Sequence, residues 1–323
     1  RAQLFGGLPQ WLHRWRAPLS WLVRWRNASP WVSRFVEKRW GIAAARPIPL
    51  LVDQPFVAPA LVPEAAGARG KVLLFVDTFS HYYTPEIAEA AIKVLQAGGF
   101  TVDVLKPAKT DAEPMRPLCC GRTYLSQGLV DEARLEAQRV MAAVAPALAE
   151  GIPVVGLEPS CLLALRDEFF SLGLGAEVGQ LAKQVFLFEE FLMREGNKGL
   201  KLPLKPLPGG KAVVHGHCHQ KAFGAMKSVK KVLGWIPGFE FEIVDASCCG
   251  MSGSFGIEAE HEAVSRQMGE LALLPAVRAA AEDALIVADG FSCRHQIADG
   301  SGRQAMHVAV LLVRALDETA AGA

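Results

Sequence analysis

Short apolar runs alternate with longer amphipathic stretches through most of the chain. Lys71–Val76 (KVLLFV) reads as a strand buried on both faces, Pro85–Ala97 as a helix stopped by Gly98-Gly99, and Thr101–Leu105 as a second strand. A long helix over Val130–Ala149, a strand over Ile152–Leu157 and a helix over 177–195 continue the series. After the stretch 201–210 (KLPLKPLPGG), which reads as a linker, the order starts again. Strand Lys211–His215, helix Gln220–Leu233, strand Phe239–Val244, a mostly helical Gly256–Glu270 and strand Ala284–Ala288 follow in turn. Alternating helices and short apolar strands predict an α/β fold, a duplicated domain with two small parallel sheets flanked by helices.

The opening of the chain has a different pattern. Six of the seven tryptophans (Trp11, Trp15, Trp21, Trp25, Trp31 and Trp40) fall within residues 1–46. Arg14, Arg16, Arg24, Arg26, Arg34, Lys38, Arg39 and Arg46 interleave with them, against the single acid Glu37. Trp11/Trp15 and Trp21/Trp25 are spaced to share a helix face. Pro18 and Pro30 are expected to divide the segment into short helices. Residues 47–69, with five prolines, read as a linker. The expected units are therefore 1–69, 70–200 and 201–323.

Composition narrows the classes. A chain of 323 residues exceeds one typical core. It is 51% hydrophobic and 21% charged with net charge +1, which gives no pull toward nucleic acid. No apolar run is long enough to span a bilayer, and the N-terminus lacks the pattern of a signal peptide. The expected location is the cytoplasm. For the Trp/Arg segment two roles are open: docking on a partner or neighbouring domain, and a peripheral contact at the inner face of the membrane. Because the chain opens on Arg1, it is expected to be a piece of a longer protein.

The cysteines carry the chemistry. There are seven, an odd number, and four stand in the triplets Cys119-Cys120-Gly121 and Cys248-Cys249-Gly250. Adjacent cysteines bridge each other poorly but can share a multi-metal centre. Aligning the halves sets KVLLFVDT on KAVVHGHC, so Thr78 falls opposite Cys218. LEPSC, ending at Cys161, falls on DGFSC, ending at Cys293. The second half thus holds Cys218, Cys248, Cys249 and Cys293, and the first holds Cys119, Cys120 and Cys161. A lone free cysteine is usually a small buried hydrophobe; two parallel sets at strand ends argue for metal. Thiolates from three loops can hold a 4Fe-4S cluster or a tetrahedral zinc. The lack of CxxC spacing and the glycine-rich stretch 250–256 favour the cluster. Gly250 and Gly253 are the expected amide contributors, and Arg294 the cation that stabilises the reduced form. His215, His217 and His219 surround Cys218 as HGHCH, and strand alternation would set all three on the face opposite it. A metal ligand, a proton relay and a partner contact are open roles for them. No dinucleotide fingerprint, Walker motif, GxSxG or HExxH occurs.

The repeated Cys–Cys-Cys-Gly–Cys pattern resembles the cysteine-rich CCG domain found in heterodisulfide reductase, in anaerobic glycerol-3-phosphate dehydrogenase and in the iron–sulfur component of glycolate oxidase. FVDTFSHYYTPE, CCGRTYLSQGLVDEA, LEPSC, GHCHQKA, CCGMSGSFGIEAEH and GFSCRHQI look like the C-terminal part of FAD-linked oxidases of the D-lactate and D-2-hydroxyglutarate type, over about residues 40–317. The resemblance implies an iron–sulfur electron-transfer portion of such a dehydrogenase, with FAD on an upstream domain or partner and a ferredoxin-like iron–sulfur domain beside it. Catalysis by this chain alone is not expected. Alternatives are a zinc-stabilised docking module and a thiol–disulfide reductase. The family often ends each cysteine set in CxxC; here Glu158 and Gly290 stand at the first of those positions, which argues against five-cysteine ligation.

Overall fold

The computed structural model describes residues 1–60 and 68–317. Each half builds a four-stranded parallel sheet. In the first, β1 (Gly70–Phe75) lies between β2 (Phe100–Val104) and β3 (Val154–Gly156), with β4 (Val185–Leu187) beyond β3. In the second, β5 (Ala212–His215) lies between β6 (Phe241–Ile243) and β7 (Ile286–Ala288), with β8 (Ala305–Met306) beyond β7. The orders β2-β1-β3-β4 and β6-β5-β7-β8 are the same permutation. Leu74 pairs with Val104 and Val155, and Val214 with Ile243 and Val287, so the central strands carry apolar side chains on both faces. Strand order reverses beside β1 and β5, and open α/β sheets place ligands at such a switch point.

Three helices precede the first sheet: α1 (Ala2–Gly6), α2 (Leu8–Ala28) and α3 (Pro30–Trp40). Helices α4 (Thr78–Tyr82) and α5 (Pro85–Ala97) join β1 to β2. Helices α6 (Arg122–Leu125) and α7 (Val130–Glu150) precede β3, α8 (Pro159–Ala164) and α9 (Val178–Gln184) precede β4, and α10 (Phe188–Gly196) follows it. The second half repeats the plan with α11 (Cys218–Ala222), α12 (Met226–Leu233), α13 (Glu262–Glu270), α14 (Leu273–Ala279), α15 (Phe291–Ser301) and α16 (Val308–Ala315).

The last helix of each half crosses over. Helix α10 packs on α12 of the second half, and α16 packs on α5 of the first. One apolar core therefore runs through both, joining Val72, Val94 and Leu95 to Val214, Val232, Leu311 and Leu312.

Several elements differ from the sequence expectation. The single helix expected over 177–195 is α9, β4 and α10, because Val185-Phe186-Leu187 extends to pair with β3. The helix expected over 220–233 breaks at Gly224, whose φ of 66° leaves the helical region. Pro30 opens α3 as expected, but Pro18 lies inside α2 and the chain kinks earlier, at Trp15 (φ −131°, ψ 27°). The Pro18 ring crowds the carbonyl four residues back, so the turn before it gives way. The stretch after α3 is extended but tied down: the Val52 and Phe56 amides donate to Tyr82 and His81 carbonyls at 3.1 and 2.9 Å. Residues 61–67 of the expected linker lie outside the described residues. Helices α14 to α16 and strand β8 were not expected from the sequence.

Candidate metal centre

Helix N-termini present the cysteines. Cys218 is the first residue of α11, as Thr78 is of α4. Cys293 is the third residue of α15, as Cys161 is of α8. A helix N-terminus favours negative charge, so each position suits a thiolate. The Cys-Cys-Gly triplets supply the rest. Gly121 and Gly250 adopt φ of 79° and 89°. A Cβ at Gly121 would lie 2.9 Å from the Ala133 carbonyl, and one at Gly250 would collide with the Ser265 carbonyl. The glycine is therefore demanded by the helix packed behind the turn. The turn aims amides at sulfur: Gly121 and Arg122 donate to Cys119 and Cys120 at 3.4 Å. Gly250 donates to Cys248 at 3.3 Å and Met251 to Cys249.

In each half the side chains meet in the same sequence. Thr78 touches Cys119, Cys119 touches Cys120, and Cys120 touches Cys161. Cys218 touches Cys248, Cys248 touches Cys249, and Cys249 touches Cys293. The structure thus brings together both predicted sets, with the Thr78 hydroxyl in the place of the Cys218 thiol. The two differ in access. Cys119, Cys120 and Cys161 are all buried, whereas Cys218 is exposed and Cys248 partly so.

Crowded thiols ionise in turn rather than together. Contacts with Cys218 and Cys249 pull Cys248 down to about 2, and push those two partners up, with burial adding to the rise. In the first half Cys119 is pushed well up by Cys120 and then by burial. Cys161 is drawn down by Cys120, yet burial carries it to about 12. Only a bound cation lets such a set lose its protons together.

The histidines depart from the expected alternation. The strand ends at His215, and His217 already caps α11, so Cys218 lies between His217 and His219 rather than opposite them. Both Nδ1 atoms lie 3.9 Å from Cys218 Sγ, and the rings stack at 5.3 Å. His215 turns inward to Cys249 and Cys293. Gly253 donates to Ser292 Oγ at 3.2 Å and the Gly256 amide to the Met251 carbonyl, so the amides that reach sulfur are those of 250 and 251. Arg294 donates to the Ala288 and Asp289 carbonyls at the end of β7.

Three features were not legible beforehand. Arg46, read as part of the basic N-terminal run, is buried and bonded to Gln296 Oε1 at 2.5 Å, where its charge acts on Cys249. Glu158 is buried and caps two helices, accepting from Ser160 of α8 and, across the halves, from the Phe291 amide of α15 at 2.7 Å. Both helices carry a cysteine. Finally, a cavity of about 190 Å³ opens over the second set only. Cys218, Cys248 and Cys249 form part of its lining, with Phe79, Phe291 and Arg122 around them and Phe5 and Leu8 closing it from the N-terminal helices. Phe79 and Phe291 stack at 4.7 Å across the two halves.

The donor set fits a metal centre. It combines four mutually touching thiols, amides aimed at two sulfurs, helix N-termini and a buried imidazole with no other partner. Residues 212–298 match the cysteine-rich domain family CCG. The chain is 32% identical over 254 residues to the third (C) component of anaerobic glycerol-3-phosphate dehydrogenase from Escherichia coli, covering 78% of this chain and 61% of that one. It is 26% identical to D-2-hydroxyglutarate dehydrogenase of the same species, over 73% of this chain and 22% of the other. Lactate utilization protein A of Bacillus velezensis is 26% identical over 61% of this chain and 79% of its own. The chain thus spans less than two thirds of the first two relatives.

Proposed function

The second half of the chain is a cysteine-rich CCG domain, and from that premise we propose that the protein is the iron–sulfur-binding, electron-transferring portion of an FAD-linked D-2-hydroxy-acid dehydrogenase, acting on substrates of the D-lactate or D-2-hydroxyglutarate class. The observation that carries this reading is the complete four-thiol set beside an open cavity, against an incomplete and closed set in the other half. Cys218, Cys248, Cys249 and Cys293 would hold the cluster. When bound, an iron–sulfur cluster accepts and passes single electrons. The amides of Gly250 and Met251 and the Arg46 guanidinium stabilise negative charge at the sulfurs. Cys119, Cys120, Cys161 and Thr78 make a closed, three-thiol counterpart that keeps the packing of the site. The dehydrogenation itself belongs to a flavin, since removing two electrons from a hydroxy acid requires an organic two-electron cofactor.

The flavin-containing region would meet the face of α2 and α3. Trp21 and Trp31 are 61% and 72% exposed there, and Arg14 and Arg24 stand among the aromatic residues. That face adjoins the cavity through Phe5 and Leu8. Among the described residues no helix is long and apolar enough to cross a membrane. The test supplies the reconstituted chain anaerobically with D-lactate or D-2-hydroxyglutarate. No reduction is expected without a flavoprotein partner, and bleaching of the visible absorbance is expected once one is added. Rapid bleaching by either acid alone would overturn the division of labour.

A further inference from the structure

We infer that His215 is a nitrogen ligand of the metal centre, completing a mixed sulfur and nitrogen site with Cys218, Cys248, Cys249 and Cys293. The assignment rests on the reading of the second cysteine set as an iron–sulfur site. His215 is 2% exposed, yet neither Nδ1 nor Nε2 has a hydrogen-bond partner. Leaving a buried polar atom unpaired costs about 1–3 kcal/mol, so an imidazole with two such atoms requires an explanation. A ring nitrogen of His215 and the sulfurs of Cys249 and Cys293 all lie within 4.8 Å of one another. That cluster supplies two soft donors and one imidazole at the inner end of the site.

The internal repeat sharpens the case. The residue in register with His215 is Phe75, which ends β1 as His215 ends β5. The imidazole is thus found in the half with four thiols, and a hydrocarbon ring in the half with three. A merely space-filling residue would have no reason to follow the ligand count. The other two histidines are differently engaged. His217 Nδ1 accepts the His219 amide at 3.1 Å, which fixes it as the cap of α11. Its ring also occupies the space that a side chain at Gly290 would need, 3.2 Å from which lies Cys293 Sγ. A fifth thiol from position 290 is therefore excluded by packing, and His215 is the buried donor left to take that role.

The test is pulsed EPR on the full chain reconstituted anaerobically with iron and sulfide and reduced with dithionite, with and without 15N-labelled histidine. Modulation from a directly bound imidazole nitrogen is expected, changing on 15N labelling and disappearing in His215→Phe. That variant places at 215 the residue the first repeat already accommodates at 75, and the labelled wild type answers the question even if the variant folds poorly. Persistence of the nitrogen coupling in His215→Phe, or its absence from the loaded wild type, would overturn this assignment alone. Failure of the chain to take up iron and sulfide would overturn the iron–sulfur reading and the assignment with it.

Discussion

Two residues show how much a single side chain decides. Gly250 has a left-handed φ and no room for a Cβ beside Ser265. The conformation alone costs an L-residue about 1–2 kcal/mol, and the clash adds to it. Gly250→Ala should therefore lower the urea midpoint and the metal content together; unchanged metal content would show that the turn is not needed for the centre. Glu189 is a buried carboxyl whose Oε1 has no partner, beside Asp289 and His307. Burial first and the Asp289 charge second hold its pKa well above the usual range. The folded chain then keeps a proton that the unfolded chain, titrating near about 4.3, has released. Its penalty is absent below that pH and grows as pH rises toward the raised value. Glu189→Gln should accordingly gain stability relative to the parent between pH 5 and pH 8. A relative loss over that interval, read from urea midpoints, would mean that the charged form is the stabilised one.

At the level of elements, the crossed helices bind the halves into one unit. Leu311 and Leu312 of α16 are fully buried in the core that includes α5. Leu312→Ala should cost about 2–5 kcal/mol, and amide exchange should accelerate in β1 as well as in β5. Acceleration confined to β5 would mean that the halves are energetically separate. The strand–helix rhythm and the two cysteine sets were legible because apolar runs and Cys-Cys-Gly triplets are local signals. Strand β4 was not, because Val185-Phe186-Leu187 passes between two helices with no glycine or proline to mark the change. The roles of Arg46, Glu158 and His215 were hidden for another reason. Each depends on residues distant in the sequence, and nothing near Arg46 distinguishes it from the exposed arginines before it. The alternation that set the histidines opposite Cys218 failed because the strand ends at His215 and a helix cap follows.

At the scale of the whole molecule, the duplication has kept one architecture and divided its use. Both halves converge three or four polar side chains at equivalent helix ends, but only the second set faces a cavity. The chain spans 22% of D-2-hydroxyglutarate dehydrogenase, so the dehydrogenase activity proposed for the whole protein calls on regions beyond it. The most direct test of this account is metal and acid-labile sulfide analysis of the purified chain, with its visible spectrum, for the parent, Cys248→Ser and Cys119→Ser. Iron with sulfide and broad visible absorbance is expected in the parent, with a large loss in Cys248→Ser and a smaller one in Cys119→Ser. Zinc without sulfide, or equal loss of iron in the two variants, would contradict it.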